Sequence, residues 1–448
     1  MPSKANVATG CDGPDAGEDP AQVGYWLKWL LNLAQYCVAK AHLKRWKGKR
    51  YKSVDFWQGL ILHSLMGLPL DDGADHLNDL LWIAKKAKDS QAPAPKAYGG
   101  QGDRHERLCP NGDQLRKYRN WLAKVNPGLL DHLNDFIFAC MVKFALKHKY
   151  CKKVADLLID DTAQWYYGKD RFPLNPSITG THKGPGTSHK RNYFACMLKA
   201  GKFYLYCGVY LIPKGESEVP HLEYVLDELA KLGVKVRMVM GDRWFPTFDL
   251  LGVLRSRGIP FLGPYKRYPY LKKMMAKYLK SGGKYAFPSQ VSGAPAGRKG
   301  RSPVEVTLIF TNPRGRRLSE IRSDYLSGAK TEADCLKEIM VMVTTDKPPK
   351  KKKAKQSWAA RICQRYHVRW QIETGFRDVK RMTPESNART NARKLLMFSA
   401  RFWGFNLWQL ARAEWRRQKR QGKIRRRSPT LRAFAHSLEM ATLEVRVR

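Results

Sequence analysis

Three carboxylates in this 448-residue chain are placed to act together. Asp160 closes the apolar run VADLLIDD, Asp242 closes VKVRMVMGD, and Glu373 lies within RYHVRWQIETGFRDVK. Carboxylate oxygens are hard donors suited to divalent cations. Two such ions about 4 Å apart supply what phosphodiester cleavage needs: an activated oxygen nucleophile, a clamp on the scissile phosphate and a stabilised leaving oxygen. Open α/β sheets place their sites beyond strand ends, so two strand-end aspartates are positioned to share one. Each alone has a plainer reading as a turn or capping residue. Asp161 also competes with Asp160, because neighbours on a strand face opposite ways; one of the two can serve, and the pattern does not say which.

The third carboxylate belongs to a two-faced helix. At about 100° per residue, Tyr366, Arg369, Glu373 and Lys380 fall within an arc of about 60°, and Val368, Ile372, Gly375 and Val379 gather opposite. One face is built to pack. The other presents a carboxylate between two cations and a phenol. A solvated amphipathic helix with i,i+4 ion pairs would show a similar face, so the other elements must decide.

Composition points to a polyanion. Lys and Arg number 82 against 39 Asp and Glu, a formal charge of +43. A surplus of that size most often meets nucleic acid. The nine cysteines include no Cys-x-x-Cys pair, which speaks against a zinc ribbon or a disulfide framework and for a reducing, intracellular compartment. The N-terminus has no signal-peptide order, and the most apolar early stretch is too short to span a bilayer. At this length two or three domains are expected.

Residues 1–20 are acidic and rich in small residues, the composition of a mobile tail. Residues 21–150 read as helical and basic, a DNA-binding region. Within it, SVDFWQGLILHSLMGLPLDDGADHLNDLLWIAKKA forms two helices about a glycine turn, either a helix-turn-helix or a helical hairpin. From Val154 the period changes to strand, hairpin, helix, strand, helix, strand, which argues an α/β core over 151–265 and 357–415. Between them, 266–356 carries two isolated strand candidates, VEVTLIF and EIMVMVTT, in Gly/Pro-rich surroundings, and the lysine run 350–353; it reads as a β-rich insertion. Residues 416–448 form a basic tail.

The spacing Tyr366-x2-Arg369-x3-Glu373-x6-Lys380 resembles the Tyr-Arg-Glu-Lys signature of the insertion-sequence-four superfamily of DDE transposases. LLIDDTAQWYYGK and VRMVMGDRWFPTFDLLGVLRSRGIPFLGPYKR are similar to the branch first described from haloarchaeal insertion sequences. The resemblance covers about 154–415. It implies an RNase H-like catalytic fold with a β-rich insertion, with Asp160, Asp242 and Glu373 as catalytic metal ligands for Mg2+, Mn2+ being able to substitute. Tyr366, Arg369 and Lys380 would then hold double-stranded transposon-end DNA near the cut, joined by Arg377. Trp358 is the best-placed aromatic to hold a flipped base, although an ordinary packed tryptophan is the favoured reading. The resemblance also implies a homodimer on inverted-repeat ends and target DNA, in a prokaryotic cytoplasm in association with the nucleoid. One departure stands out: relatives usually carry a small residue near the position of Trp244.

These observations favour a transposase that cleaves element ends and joins the 3′-hydroxyl to target DNA. Two alternatives are a catalytically silent, transposase-derived DNA-binding protein and an RNase H-like nuclease without strand transfer. Intact carboxylates argue against the first.

Overall fold

The computed structural model describes residues 114, 115, 117, 127–166, 178–184, 187–282, 286–291, 303–312, 315–381, 391–422, 430 and 434. The two helices expected about a glycine turn, the acidic N-terminus and most of the basic tail lie outside the described residues. The chain divides into two compact units, Met1–Leu133 with Val379–Arg448, and Asn134–Asp378.

The Asn134–Asp378 unit is built on one mixed sheet. Strand β1 (Val154–Trp165) pairs antiparallel with β3 (Thr187–Ala200), and β3 pairs antiparallel with β2 (Thr179–Gly184) and β4 (Phe203–Ile212). On its other edge β1 runs parallel to β5 (Lys235–Met240), which runs parallel to β6 (Phe261–Pro264). The order β4-β3-β1-β5-β6, antiparallel on one side of β1 and parallel on the other, is that of an RNase H-like core. Helix α1 (Pro127–Lys147) precedes β1, and helices α2 (Val219–Lys231) and α3 (Phe248–Ser256) make the two parallel crossovers. Leu157, Leu158 and Ile159 are fully buried in succession, so β1 is covered on both faces; this is why its sequence is a continuous apolar run instead of an alternation. The expected hairpin is formed by β3 and β4 and turns at Gly201, whose φ of +61° is a conformation that favours glycine.

The segment after β6 differs from two isolated strands. It forms helices α4 (Pro269–Ser281), α5 (Leu318–Leu326) and α6 (Glu332–Glu338), and strands β7 (Ala286–Val291), β8 (Val304–Thr311) and β9 (Met340–Thr344). Strand β9 pairs with both β6 and β8, and β8 with β7, so the three strands prolong the core sheet to nine strands. The runs VEVTLIF and EIMVMVTT are apolar because they are sheet interior.

The two-faced stretch is not one α-helix. Helix α7 (Lys352–Tyr366) passes into a 3-10 turn, His367–Arg369, and then α8 (Trp370–Arg381). A 3-10 turn winds three residues per turn, which rotates Val368 away from the packing face and leaves it only half-buried. Ile372, Gly375 and Val379 are buried as their spacing predicts. Gly375 permits close approach: a Cβ there would lie 2.5 Å from the Tyr206 hydroxyl and 2.9 Å from Met197 Cε. Tyr206 is fully buried, stacks on Phe376 and donates a hydrogen bond to the Ile372 carbonyl at 3.3 Å, so it has little room to yield. Gly375→Ala is expected to destabilise by about 1–3 kcal/mol through overpacking, read as a lowered denaturant midpoint; an unchanged midpoint would show that the contact gives way freely.

In the other unit, α9 (Asn391–Arg420) buries Phe398, Phe402, Trp403, Phe405, Leu407 and Leu410, and also Asn406 and Gln409. It is therefore covered around its circumference over that stretch rather than along one stripe.

Candidate active site

Strand β1 continues for five residues past Asp160, so the aspartate is not at a strand terminus as its apolar run suggests. Asp242 does follow the end of β5. The register sets Leu158 beside Met240, and carrying it two residues onward brings Asp160 level with Asp242. Alternation sends the neighbouring aspartates to opposite faces. Asp160 meets Arg369, at 3.0 Å from Nη1, while burial, then Glu218 and Asp160, push the Asp161 carboxyl up to about 7, with Asp242 adding to this and Lys190 opposing it.

Arg369 is the hub. Its Nη1 donates to Asp160 Oδ2, and its Nη2 donates to Glu373 Oε1 one helical turn on. The Asp160 and Arg369 side chains are 14% and 11% exposed, and Glu373 is 37% exposed. Burial pushes the Asp160 carboxyl up to about 6; Arg369 and the Asp161 N–H, which donates to Oδ1 at 2.9 Å, oppose this, and the nearby Asp242 and Glu373 carboxylates add to it. Because the folded value exceeds the ordinary 3.8, this group favours the fold fully below about pH 3.8, and that contribution is lost as pH rises through about 6. An ionised Asp160 is therefore a strained guest in the sheet, retained with a cation beside it. For Arg369 itself, burial works against the charge, but Tyr366, Asp160, Glu373 and Asp242 outweigh it and raise its pKa.

Tyr366 completes the cluster, with Arg369 Cζ 5.4 Å from its ring centroid. Its hydroxyl is buried without a hydrogen bond of good geometry, and burial holds its pKa well above the usual phenol range. A buried hydroxyl in that state is available to an incoming acceptor.

A second ion cluster fixes the helix to the sheet, and the sequence reading missed it. Asp156 is buried; it accepts from Arg237 Nε and Nη2 at 2.9 and 2.6 Å and from Arg365 Nη2 at 2.8 Å. Arg365 and Arg369 stand four apart on the helical segment, and their partners Asp156 and Asp160 stand four apart on β1. The available signal was the parity: an aspartate inside VADLLIDD on the same strand face as Asp160.

The remaining expected residues are placed as follows. Arg377 and Lys380 are exposed on α8. Trp358 is buried, which fits the packed reading and not the flipped-base one: with Ala359 and Ile362 it forms the inner face of α7. Lys350 and Lys351 of the lysine run are exposed.

The family described as transposase DDE domain matches residues 179–407, just over half of the chain. The chain belongs to the DDE transposases. Asp242 and Glu373 lie inside the stretch matched to that transposase domain, and Asp160 lies before it. No curated protein matches the transposase by sequence. Among solved structures, one titled as a cryo-EM structure of a piggyBac transposase synaptic complex with hairpin DNA is similar at a TM-score of 0.47 and 12% identity, over 97% of this chain and 82% of that one. No helix among the described residues is long and apolar enough to cross a membrane.

The donors fit a hard divalent cation in kind, since all three are carboxylates on neighbouring elements. Among the described residues, however, no three acidic, imidazole or thiol side chains stand close enough to hold a metal as they are. The guanidinium of Arg369 bridges two of the three carboxylates.

Proposed function

We propose that this transposase cleaves transposon-end DNA and joins the freed 3′-hydroxyl to a target, using Asp160, Asp242 and Glu373 as one carboxylate site. The observation that carries the reading is Arg369 held between Asp160 and Glu373, with Asp242 just past the end of the neighbouring parallel strand and level with Asp160. Mg2+, or Mn2+ in its place, held by these carboxylates would supply the activated oxygen nucleophile and neutralise charge on the scissile phosphate. The protein's own part is to position the DNA. Arg369 exchanges carboxylate for phosphate oxygens, which its planar fork grips in pairs. Tyr366 donates its hydroxyl to the same backbone, and Lys380 and Arg377 add charge on the exposed side of α8. The surplus of +43 draws the polyanion in.

The spacing from Tyr366 to Lys380 supports placement in the Tyr-Arg-Glu-Lys superfamily, hence a prokaryotic insertion sequence and a homodimer that holds two ends. The test is an assay of purified protein with end-bearing duplex, Mg2+ and a circular target. Cut ends together with joined product are expected. Cut ends without joining would assign a nuclease, and stable binding without cutting would assign a silent DNA-binding protein.

A further inference from the structure

Asp156 ties together the three elements that carry the proposed carboxylate site. It stands four residues before Asp160 on β1, on the same strand face. Its partner Arg237 lies on β5, five residues before Asp242, and its partner Arg365 lies on α7, eight residues before Glu373. Oδ1 accepts from Arg237 Nε and Arg365 Nη2, and Oδ2 accepts from Arg237 Nη2. The Asp156 side chain is 5% exposed, against 55% for Arg237 and 27% for Arg365. The carboxylate is thus the fixed point, and the two guanidinium groups reach in to it.

The count to the aspartate is one longer on β5 than on β1, and the ladder shows why. Val154 pairs with Lys235 and Ala155 with Val236, but Asp156 pairs with Met238. Arg237 is therefore the extra residue of a bulge, a rare feature between parallel strands and one that re-aims side chains beside active sites. Without that step Asp156 would meet Arg237, and Asp242 would stand level with Asp161. Side chains alternate, so a slip of one residue sends a strand's side chains to the other face. The step at Arg237 brings Asp242 level with Asp160 and onto its face, and the two-pronged pairing with Asp156 holds the step where it occurs. Arg365 does the same for the helical segment. It meets β1 one helical turn before Arg369 does, so the segment that carries Glu373 is held at two points, which fix its position and its rotation. We infer that Asp156 is a positioning residue for the carboxylate site: through Arg237 it sets where Asp242 stands, and through Arg365 where Glu373 stands, both relative to Asp160. The inference rests on the proposed carboxylate site and extends it to three residues outside it.

Arg237→Met and Arg365→Met each remove one tie, and Asp156→Asn weakens both. At saturating end-bearing duplex and Mg2+, each variant should cut about 10- to 100-fold more slowly than wild type, the usual loss when the group that orients a ligating side chain is removed. Binding of the same duplex in EDTA should stay within about threefold of wild type, one cation being a small part of the electrostatic attraction. Arg237→Lys keeps the charge without the planar fork and should fall between Arg237→Met and wild type. Amide hydrogen exchange reads the register with neither metal nor DNA: Arg237→Met should lose protection over residues 238–242 while β3 and β4 keep theirs. The half-exposed Arg237 tolerates these changes even if Asp156→Asn fails to fold. Cutting at the wild-type rate by Arg237→Met or Arg365→Met, a loss of binding as large as the loss of cutting, or unchanged protection over 238–242 would overturn the inference. Wild type that binds the duplex without cutting it would defeat the proposed function alone, and the exchange result would still report whether Arg237 holds the register.

Discussion

Glu373→Gln is expected to lower Mg2+-dependent cutting of end-bearing DNA by about a thousandfold or more, while shifting stability by no more than about 0.5 kcal/mol. The activity term is large because the amide keeps the shape but removes one of the charges that must be pooled at the reacting phosphate, and groups that act as a unit lose most of their effect together. The stability term is small because the Glu373 side chain is 37% exposed and its pairing with Arg369 is screened by water. Gel-resolved cleavage and a denaturant melt of the same preparation check both halves. Cutting at near wild-type rate would remove Glu373 from the chemistry, whatever the melt showed.

Arg369→Ala should have the largest effect on stability, and a pH-dependent one. At pH 8 the variant leaves an ionised Asp160, 14% exposed, without its cation, at a cost of about 3 kcal/mol. Lost pairing to the more exposed Glu373 adds well under 1 kcal/mol. Arg369 lowers the Asp160 pKa that burial raises to about 6; without it the carboxyl titrates higher still and is neutral at pH 5. The penalty should therefore shrink clearly from pH 8 to pH 5 when variant and wild type are compared by chemical denaturation. Equal penalties at the two values would mean that Asp160 does not titrate where its surroundings place it. The same variant should bind end DNA more weakly, with a salt slope smaller by about one.

Much of this was readable from residue order, and the misses have physical causes. The apolar runs located β1, β5 and β6, because Leu157–Ile159, Met238–Met240 and Phe261–Leu262 are each buried without interruption. The strand-end position of Asp160 was misjudged since β1 runs on through TAQW, where the buried positions are the polar Thr162 and Gln164 and the hydrophobic signal fades. VEVTLIF and EIMVMVTT looked isolated because pairing across a sheet is non-local, and the β6–β9–β8 ladder joins residues far apart in sequence. Helical spacing grouped Tyr366, Arg369 and Glu373 correctly even though His367–Arg369 wind as 3-10: the tightening spans a single turn, and it was Val368 that lost its place. What the pattern could not carry was orientation. It left Asp160 and Asp161 open and did not foresee that Arg369 would bridge two of the acids. The buried Asp156 with Arg237 and Arg365 was missed because one aspartate in an apolar strand resembles the next until its partners are seen.

That Asp160, Asp242 and Glu373 act as one site is tested most directly by comparing the three single amide variants with the triple variant in Mg2+-dependent cleavage of end-bearing DNA. Members of a single site fail together: each single variant should fall to within about tenfold of the triple. Losses that multiply independently, or one single variant that retains substantial cutting, would contradict a shared carboxylate centre.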